Sequence, residues 1–345
     1  MTVADVTKQT ERVIVRAHGG GGEMMARLIQ DHILAALGNR TLNELTDGAV
    51  LSTTTSRLVF TTDSFVVAPL EFPGGDIGRL AVCGTINDLA VMGGRPIGLS
   101  LGMIIEEGFE LSSLDRILNS VADAATEAGV PVVTGDTKVI EHGIGGTGLF
   151  LNTAGVAELD DAVHLGFSRI QPGDAVLVNG TLGDHGMAVL SVRNGIEFQT
   201  ILKSDAAPLN GLIAEVLAAG VDVRFMRDPT RGGLAGVLAD ISANAGLGVE
   251  IEEDRVPVNT AVRAAAEMLG FDVLTVANEG KVVLVVPDKD RERCLGVMRR
   301  HRYGRRSANI GRIVTGDPPL VELITRTGGR RIVQRPYGEE LPRIC

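Results

Sequence analysis

The sequence is poor in aromatic and sulfur side chains: its 345 residues include no tryptophan, two tyrosines and three cysteines. Nucleic-acid-binding surfaces use basic tracks and stacking rings, which this chain, with a formal charge of −10, does not offer. No apolar run approaches the roughly 18 residues of a membrane-spanning helix. The first residues are polar and lack the apolar core of a secretory signal. We therefore expect a cytoplasmic protein that binds neither nucleic acid nor a membrane.

The three cysteines are Cys83, Cys294 and Cys345, and their spacing fits neither a zinc site nor a disulfide framework. Cys83 and Cys294 lie in predicted helices and are expected in the core. Cys345 ends the segment 336–345, whose prolines and glycine oppose regular structure, so we expect a mobile tail. Its thiolate would be a nucleophile that Arg343 favours and its own carboxylate opposes. Composition alone leaves a chance terminal cysteine and a reactive one equally open.

Glycine is abundant, with 44 residues, many of them in expected turns. Gly19, Gly20, Gly21 and Gly22 follow His18 and directly precede a predicted helix. Free backbone amides at such a helix start can cradle a phosphate group. No Gly-Lys-Ser/Thr follows, however, and a flexible loop is the other interpretation.

Basic residues are scattered apart from one cluster near the end of the chain. This cluster predicts either a solvated helix end or an anion-binding site, and it consists of Arg299, Arg300, Arg302, Arg305 and Arg306. Elsewhere, an anionic substrate would have to be held by a metal ion, a lysine or backbone amides.

Helical and strand patterns occur in both halves of the chain, which predicts a mixed α/β (α+β) fold in two domains, because 345 residues exceed one typical core. Apolar residues at helical spacing predict helices over 24–37, 76–92, 111–128, 209–219 and 234–244. Apolar and β-branched runs predict strands over 57–62, 96–105, 130–134, 147–158, 175–179 and 281–287. The polar stretch 160–172 is the expected boundary. It gives domains at 1–165 and 166–335, followed by the tail at 336–345.

Four aspartates share one expected setting, a small-residue turn beside an apolar element: Asp63, Asp88, Asp136 and Asp228. Carboxylates with little bulk around them suit Mg²⁺, which takes oxygen ligands, keeps several waters and is shared with substrate phosphates. A single aspartate in a turn is usually a cap or turn residue. Four in matching contexts weaken that alternative without removing it.

Three further side chains are candidates for the chemistry itself. Lys138, two residues after Asp136, could neutralise phosphate charge, and His142 lies four residues beyond Lys138. Glu279 precedes Gly280 at the start of a predicted strand. It is either a turn residue or a general base that a substrate atom approaches within hydrogen-bond distance.

The chain resembles the HypE family of hydrogenase maturation proteins, within the superfamily of aminoimidazole ribonucleotide synthetase and selenophosphate synthetase. The resemblance covers nearly the whole chain and is most specific in the segments 61–96, 132–140, 226–238 and 277–287 and in the Pro-Arg-Ile-Cys ending. It implies two domains of ferredoxin-like character and a homodimer whose N-terminal domains form a central barrel. It also implies that ATP and Mg²⁺ bind between the domains, with Asp63, Asp88, Asp136 and Asp228 around the metal-bound phosphates. We expect Gly19 to Gly22, Asn87 and Thr137 to contribute to the same nucleotide site.

The resemblance further implies a reaction at Cys345. In the family, a partner carbamoyltransferase loads the C-terminal cysteine with a carbamoyl group, ATP activates its amide oxygen, and dehydration leaves a thiocyanate. The cyanide then passes to iron on a scaffold complex, for nickel–iron hydrogenase. An amide oxygen leaves poorly until it is phosphorylated, so Mg²⁺ and Lys138, with His142 nearby, would hold the γ-phosphate. Glu279 would then take protons from the amide nitrogen.

Two alternatives stay open. A selenophosphate synthetase or a thiamine monophosphate kinase would share the ATP-binding fold. A selenophosphate synthetase would use a reactive cysteine or selenocysteine and a lysine near the N-terminus. Here Lys8 lies near the N-terminus, but the first cysteine is Cys83. Neither enzyme class explains the Pro-Arg-Ile-Cys ending. A non-catalytic carrier, whose tail cysteine only ferries the group, would need neither the aspartates nor Glu279.

Overall fold

The computed structural model of the protein describes residues 13–15, 18, 23–44, 51, 53–143, 147–195 and 202–335. Its first helical segment joins α1 (Glu23–Leu28) to α2 (Leu34–Leu37) through a π-helical stretch, Ile29–Ile33. The further α-helices are α3 (Ile77–Val91), α4 (Leu111–Ala128), α5 (Asp184–Arg193), α6 (Asn210–Ala218), α7 (Gly233–Ala245), α8 (Thr260–Leu269) and α9 (Arg291–Arg300). Short 3₁₀ helices lie at Leu42–Glu44, Phe167–Arg169, Glu253–Arg255, Val273–Thr275 and Asp288–Asp290.

The strands form three sheets. A four-stranded sheet has the order β1 (Arg57–Phe65), β6 (Leu149–Leu159), β4 (Arg95–Glu106) and β5 (Val132–Ile140). A seven-stranded sheet has the order β13 (Arg330–Ile332), β12 (Val321–Ile324), β9 (Gly248–Glu252), β11 (Ala308–Val314), β7 (Ala175–Val178), β10 (Val283–Val286) and β8 (Phe225–Arg227). A small hairpin pairs β2 (Glu71–Phe72) with β3 (Gly75–Asp76). The pairs β4–β5 and β9–β12 are parallel, and the other pairs are antiparallel.

The four-stranded sheet is covered by helices on one face only. Side chains alternate along a strand, and in β1 the odd-numbered residues face inward, as the fully buried Phe65 shows. Leu99 and Leu101 of β4 join Phe65 in a core that α3 and α4 complete. The opposite face is open, and it exposes Leu58 to 53%, Phe60 to 69% and Ile104 to 43%.

The seven-stranded sheet is buried on both faces in its centre. All four residues of β7 and all four of β10 are buried. Val176 and Val178 pack in a cluster with α7, whereas Ala175 and Leu177 pack on the other face with α6 and α9. This accounts for the continuous apolar runs of these strands, since two covered faces leave no position for polar side chains.

Helix α3 lies between the two sheets and is buried almost all round. Asp76 caps its start by accepting a hydrogen bond from the backbone N–H of Arg79 over 2.9 Å. The helix packs on β1 and β6 and also contacts α6 and β8 of the second half. A helix that is apolar on all sides is buried on all sides, so α3 connects the two halves through one shared core.

The predicted elements agree with the structure in type, and they differ in extent at two places that bear on the site. Strand β1 continues to Phe65 and β5 runs over Val132–Ile140, so both are longer than their sequence patterns predict. Pairing explains this, because β1 pairs with β6, and β5 with β4, along nearly their whole lengths. Cys83 and Cys294 are buried, as predicted. The helices of the described residues are too short or too polar to cross a membrane.

Candidate active site

Three of the predicted aspartates converge at the C-terminal end of α3. Asp63 lies within β1, Asp88 lies in the last turn of α3, and Asp228 follows β8. The hydroxyl of Thr61 donates to Asp88 Oδ2 over 3.0 Å, which ties the end of α3 to β1. The expected turn setting is therefore wrong for Asp63, which lies in a strand, for Asp88, which lies in a helix, and for Asp136, which lies in β5. Only Asp228 lies in a loop.

The loop after Asp228 requires glycine. Gly232 and Gly233 have φ values of 78° and 59°, in the left-handed region that glycine favours. A Cβ on Gly233 would lie 2.6 Å from the carbonyl oxygens of Leu274 and Val276, so the backbone could not take this path with a side chain. Gly232 provides no side-chain cap for α7. The start of α7, five residues after Asp228, therefore has no side-chain cap, a feature that it shares with phosphate-binding helix starts.

Burial raises the pKa values of all three aspartates, and repulsion by a neighbouring aspartate adds to this at Asp88 and Asp228. Burial, followed by the charges of Asp88 and Asp63, raises the pKa of Asp228 to about 7. Burial is also the main cause that raises the pKa values of Asp63 and Asp88. The guanidinium groups of Arg227 and Arg231 oppose these shifts, Arg227 at Asp88 and Asp228 and Arg231 at Asp63. Carboxylates that raise one another's pKa values favour a site that a cation completes.

Glu279 joins this cluster from the loop before β10. Its carboxyl group is buried, and Oε1 has no hydrogen-bond partner in the structure. Burial, then the charges of Asp228, Asp205, Asp63 and Asp88, raise the pKa of Glu279 well above its usual range. Its backbone is held on both sides, since its N–H donates to Asp205 over 3.1 Å and its C=O accepts from Asn87 over 3.1 Å. A fixed carboxyl with an unpartnered oxygen is suited to proton transfer with a bound substrate.

The acidic cluster fits a magnesium ion that is shared with a nucleotide better than a closed metal site. Among the described residues, no three aspartate, glutamate, histidine or cysteine side chains come close enough to hold one ion by themselves. Mg²⁺ is usually bound by one or two carboxylates, several waters and the phosphates of its substrate. Asp88 and Asp228, with the unpartnered oxygen of Glu279 nearby, could supply the carboxylates of such a site.

Asp136 and its neighbours are not part of this cluster within one protomer. Asp136 pairs across the sheet with Gly102, Asn152 and Ser64, so its side chain is on the open face, whereas Asp63 is on the helix-covered face. Its strand β5 is also at the opposite edge from β1, with two strands between them.

The other residues predicted near Asp136 divide between the two faces. Lys138 is exposed and lies 3.3 Å from Asp136, and the exposed His142 lies 3.9 Å from Glu106. Thr137 is buried, and its N–H donates to Asp136. The structure thus brings Lys138, but not Thr137, to the same face as Asp136.

Asn87, a predicted nucleotide-binding residue, has both of its amide atoms occupied by the protein. Its Nδ2 donates to the backbone oxygens of Ala207 and Glu279 over 3.0 and 3.1 Å, and its Oδ1 accepts from Leu209 N over 2.8 Å. The side chain is buried. Asn87 therefore links α3 to the second half of the molecule, and its role toward a nucleotide stays a prediction.

Two predicted elements lie outside the described residues: Gly19 to Gly22, and Cys345 with the rest of 336–345. Arg335 forms an ion pair with Asp240 of α7, and Asp240 also accepts from Arg227 over 2.5 Å. Arg227 directly precedes Asp228 in the chain.

Sequence reasoning missed the residues that support Glu279. Asp205 and Lys281 form an ion pair of 2.6 Å in which both side chains are nearly inaccessible. Nothing in the local pattern of Asp205 distinguishes it from a loop aspartate. Lys281 had one available signal, because a lysine at the start of a strand that is otherwise apolar needs a buried partner.

The two halves of the chain match the two domains of one protein family. Residues 45–159 match the N-terminal domain, and residues 171–321 the C-terminal domain, of the AIR synthase related proteins. The carbamoyl dehydratase HypE of Azotobacter vinelandii is 48% identical over 328 residues, which are 95% of this chain and 96% of that protein. The chain belongs to the HypE family.

Solved structures of HypE have the same fold. The hydrogenase maturation protein HypE in complex with ATP is 40% identical, and its TM-score is 0.92 over 96% of this chain and 99% of that chain. The HypE chain of a HypE–HypF complex is 45% identical, with a TM-score of 0.79 over 90% of this chain and 99% of that chain. A thiamine-monophosphate kinase of Stenotrophomonas maltophilia, 22% identical with a TM-score of 0.63, shares the fold alone.

Proposed function

We propose that this protein is an ATP-dependent carbamoyl dehydratase that acts on its own Cys345. The carbamoyl group on the Cys345 sulfur loses its oxygen to the γ-phosphate of ATP and its two amide protons to bases, which leaves a thiocyanate, ADP and phosphate. The thiocyanate supplies a cyanide ligand to iron during the maturation of a nickel–iron hydrogenase. HypE relatives with this named activity and with bound ATP support the proposal.

The observation that carries the proposal is Glu279. Its buried carboxyl has an unpartnered oxygen, and its raised pKa makes the ionised form a stronger base than a surface glutamate. In the proposed reaction, Glu279 accepts a proton from the amide nitrogen. The uncapped start of α7, and the side chain of Arg231, whose charge acts on Asp63, favour the phosphate charge. A bound Mg²⁺ would neutralise the phosphates and lower the barrier to phosphoryl transfer.

The proposal requires the last ten residues, 336–345, to bring Cys345 to Glu279. These residues follow Arg335, which forms an ion pair with Asp240 of α7. An extended chain of ten residues spans up to about 33–36 Å. By contrast, Cys83 and Cys294 are buried with pKa values raised to about 12, so neither competes for the carbamoyl group.

The proposal includes a homodimer. The open face of the first sheet, with Leu58, Phe60 and Ile104 exposed, is an apolar surface of the kind that a second copy covers. Two such sheets, face to face, would give the barrel that the resemblance implies. Asp136 and Lys138 lie on this same face. We propose that they serve the nucleotide site of the second protomer.

Two other partners belong to the proposal. A carbamoyltransferase would load Cys345, and the HypE relative solved with HypF supports such a complex. An iron-carrying scaffold complex would receive the cyanide.

Mass spectrometry of the C-terminal peptide tests the function. The full-length protein is incubated with the loading enzyme, carbamoyl phosphate and ATP with Mg²⁺. The peptide should gain the mass of one carbamoyl group and then lose one water, and Cys345→Ala should show neither change. An adduct on Cys83 or Cys294, or a carbamoyl group that persists with ATP present, would contradict the proposal.

A further inference from the structure

A cavity lined mainly by basic side chains lies beside the first turn of α3. It has a volume of about 700 Å³ and lies between the loops 179–181 and 204–207, the turn 302–306 and the first turn of α3. Arg79 of α3 lines it, nine residues before Asp88. At 1.5 Å per helical residue, these two residues are about 13–14 Å apart along the helix axis. Gly280 and Lys281, which directly follow Glu279 in the chain, also line the cavity.

Positive charge dominates the lining, in a chain whose formal charge is −10. Five of the lining residues are cationic: Arg79, Lys281, Arg302, Arg305 and Arg306. Asp205 is the acidic residue of the lining and is already paired with Lys281. In the described part of the chain, neither Arg305 nor Arg306 has a carboxylate within ion-pair distance, and Arg306 donates only to the amide oxygen of Asn259. Part of the basic cluster of the sequence therefore lines this cavity, where Arg302, Arg305 and Arg306 are exposed.

Two of these cations, Arg79 and Arg302, are held in place by the protein. Glu127 accepts from Arg79 over 2.9 Å and from Arg302 over 2.7 Å, and the hydroxyl of Tyr303 also donates to it. The guanidinium of Arg302 lies 4.6 Å from the centre of the Tyr303 ring. Side chains that are fixed before a ligand arrives lose less conformational entropy when it binds.

Glycines make room for this arrangement. A Cβ on Gly304 would lie 2.0 Å from the carbonyl oxygen of Met298, so the turn that presents Arg302, Arg305 and Arg306 needs glycine. A Cβ on Gly180 would lie 3.1 Å from the Cε atom of Lys281. A side chain at position 304 would therefore displace this turn, and one at position 180 would crowd the side chain of Lys281.

We propose that this cavity binds a small phosphate-bearing anion, and that it does so without a metal ion. Guanidinium groups match the geometry of phosphate oxygens and bind them through two parallel hydrogen bonds. The volume lies within the usual 300–1,000 Å³ of small-molecule sites. The acidic cluster, in contrast, repels an anion unless a cation is present. The two sites therefore differ in their metal requirement, and this difference separates them experimentally.

The test is calorimetric titration of the full-length protein with inorganic pyrophosphate in EDTA. Arg305→Ala/Arg306→Ala should weaken pyrophosphate binding by about 10-fold or more, since hydrogen bonds to charged groups are lost. Arg293→Ala/Arg300→Ala is the matched control: it removes the same charge from exposed positions of α9 outside the cavity and should change binding less than two-fold. Asp88→Asn should bind pyrophosphate like the parent protein, which separates this site from the nucleotide site.

Three results would overturn the proposal. The first is no metal-free binding of pyrophosphate to the parent protein. The second is equal weakening by both double substitutions, which would indicate diffuse surface charge. The third is a hexaglutamate peptide that displaces pyrophosphate at lower concentration than phosphate esters do, which would indicate a docking surface for an acidic protein segment. None of these results depends on carbamoyl dehydration, so they leave the proposed function to its own test.

Discussion

Asp205 links Glu279 to a buried lysine: one of its oxygens accepts from Glu279 N over 3.1 Å and the other accepts from Lys281 Nζ over 2.6 Å. Burial alone would raise the pKa of Asp205, but the charges of Lys281 and His185 hold it below its usual range. The carboxylate is therefore ionised at neutral pH. It anchors the backbone of the proposed base through a charge-assisted hydrogen bond, the stronger kind.

Breaking this pair should destabilise the protein strongly. Asp205→Asn leaves Lys281 buried without a counter-charge, which costs about 3–5 kcal/mol. Asp205→Asn/Lys281→Met removes both charges and should recover most of that loss, as urea unfolding at pH 7 would measure. Because the folded-state pKa of Asp205 is lowered, its contribution is complete above about pH 4 and is lost as the pH falls further. Additive effects of the two single substitutions would show that the pair is not coupled.

Glu279→Gln should stop dehydration while leaving loading intact. Removing a general base lowers the rate by about 100-fold or more, so the carbamoyl adduct on Cys345 should persist in the mass spectrum with ATP present. The substitution should not lower the melting temperature, because Oε1 has no partner to lose. Glu267→Gln, an exposed position on α8, is the control. Thiocyanate formation at the normal rate would remove Glu279 from the mechanism.

Asp228→Asn should make the nucleotide-free protein more stable at neutral pH. The pKa of Asp228 is raised to about 7, above the value near 4 of the unfolded chain. Between these values the folded state binds more protons than the unfolded state, so stability falls as the pH rises. The substitution should raise the melting temperature by about 2–4 °C at pH 8, with little effect at pH 4.5. Scanning fluorimetry from pH 4.5 to 8 measures this.

The same substitution should weaken binding of ATP with Mg²⁺, since one carboxylate of the proposed site is lost. A stability gain together with a loss of nucleotide affinity is the expected combination. An unchanged affinity for ATP with Mg²⁺ would show that Asp228 is not part of the nucleotide site.

Asn87→Ala should destabilise the protein by about 2–4 kcal/mol, because it leaves two buried carbonyls and one N–H without partners. Asn244→Ala, which removes an exposed asparagine that also donates to a carbonyl, should cost well under 1 kcal/mol. Chemical denaturation provides both values. If Asn87→Ala lowered nucleotide affinity at unchanged stability, Asn87 would be a ligand-binding residue instead of a link between the halves.

Mixed dimers should show whether Asp136 acts across the dimer. Asp136→Asn and Glu279→Gln protomers would each be inactive alone. A mixed dimer contains one site with an intact Glu279 and, from the other protomer, an intact Asp136, so dehydration should reappear when the two variants are denatured and refolded together. Separate samples combined without exchange are the control. No recovery in mixed dimers, with dimer formation verified by light scattering, would place Asp136 outside the partner's site.

Local sequence patterns predicted most helices and strands and most residues of the acidic cluster. Helical spacing was sufficient for α4, because its apolar residues recur at helical intervals and Gly129 ends the helix. The ends of β1 and β5 were not predictable, since pairing with β6 and β4 extends them beyond their own propensities. Residue type and local sequence context identified Asp63, Asp88, Asp228 and Glu279. They also grouped Asp136 with these residues, because local context does not specify which face of the sheet a side chain lies on.

The sequence by itself determined the family motifs and the apolar strands and helices. It also predicted that Cys83 and Cys294 are buried, and it distinguished them from Cys345 at the end of the chain. Tertiary structure alone decided which charges meet. Asp205 and Lys281 lie 76 residues apart and pair only because two loops pack together. Register and strand order place Asp136 on the open face. The physical reason is range: propensity acts over a few neighbouring residues, whereas electrostatic coupling depends on distances in space that only the packed core fixes.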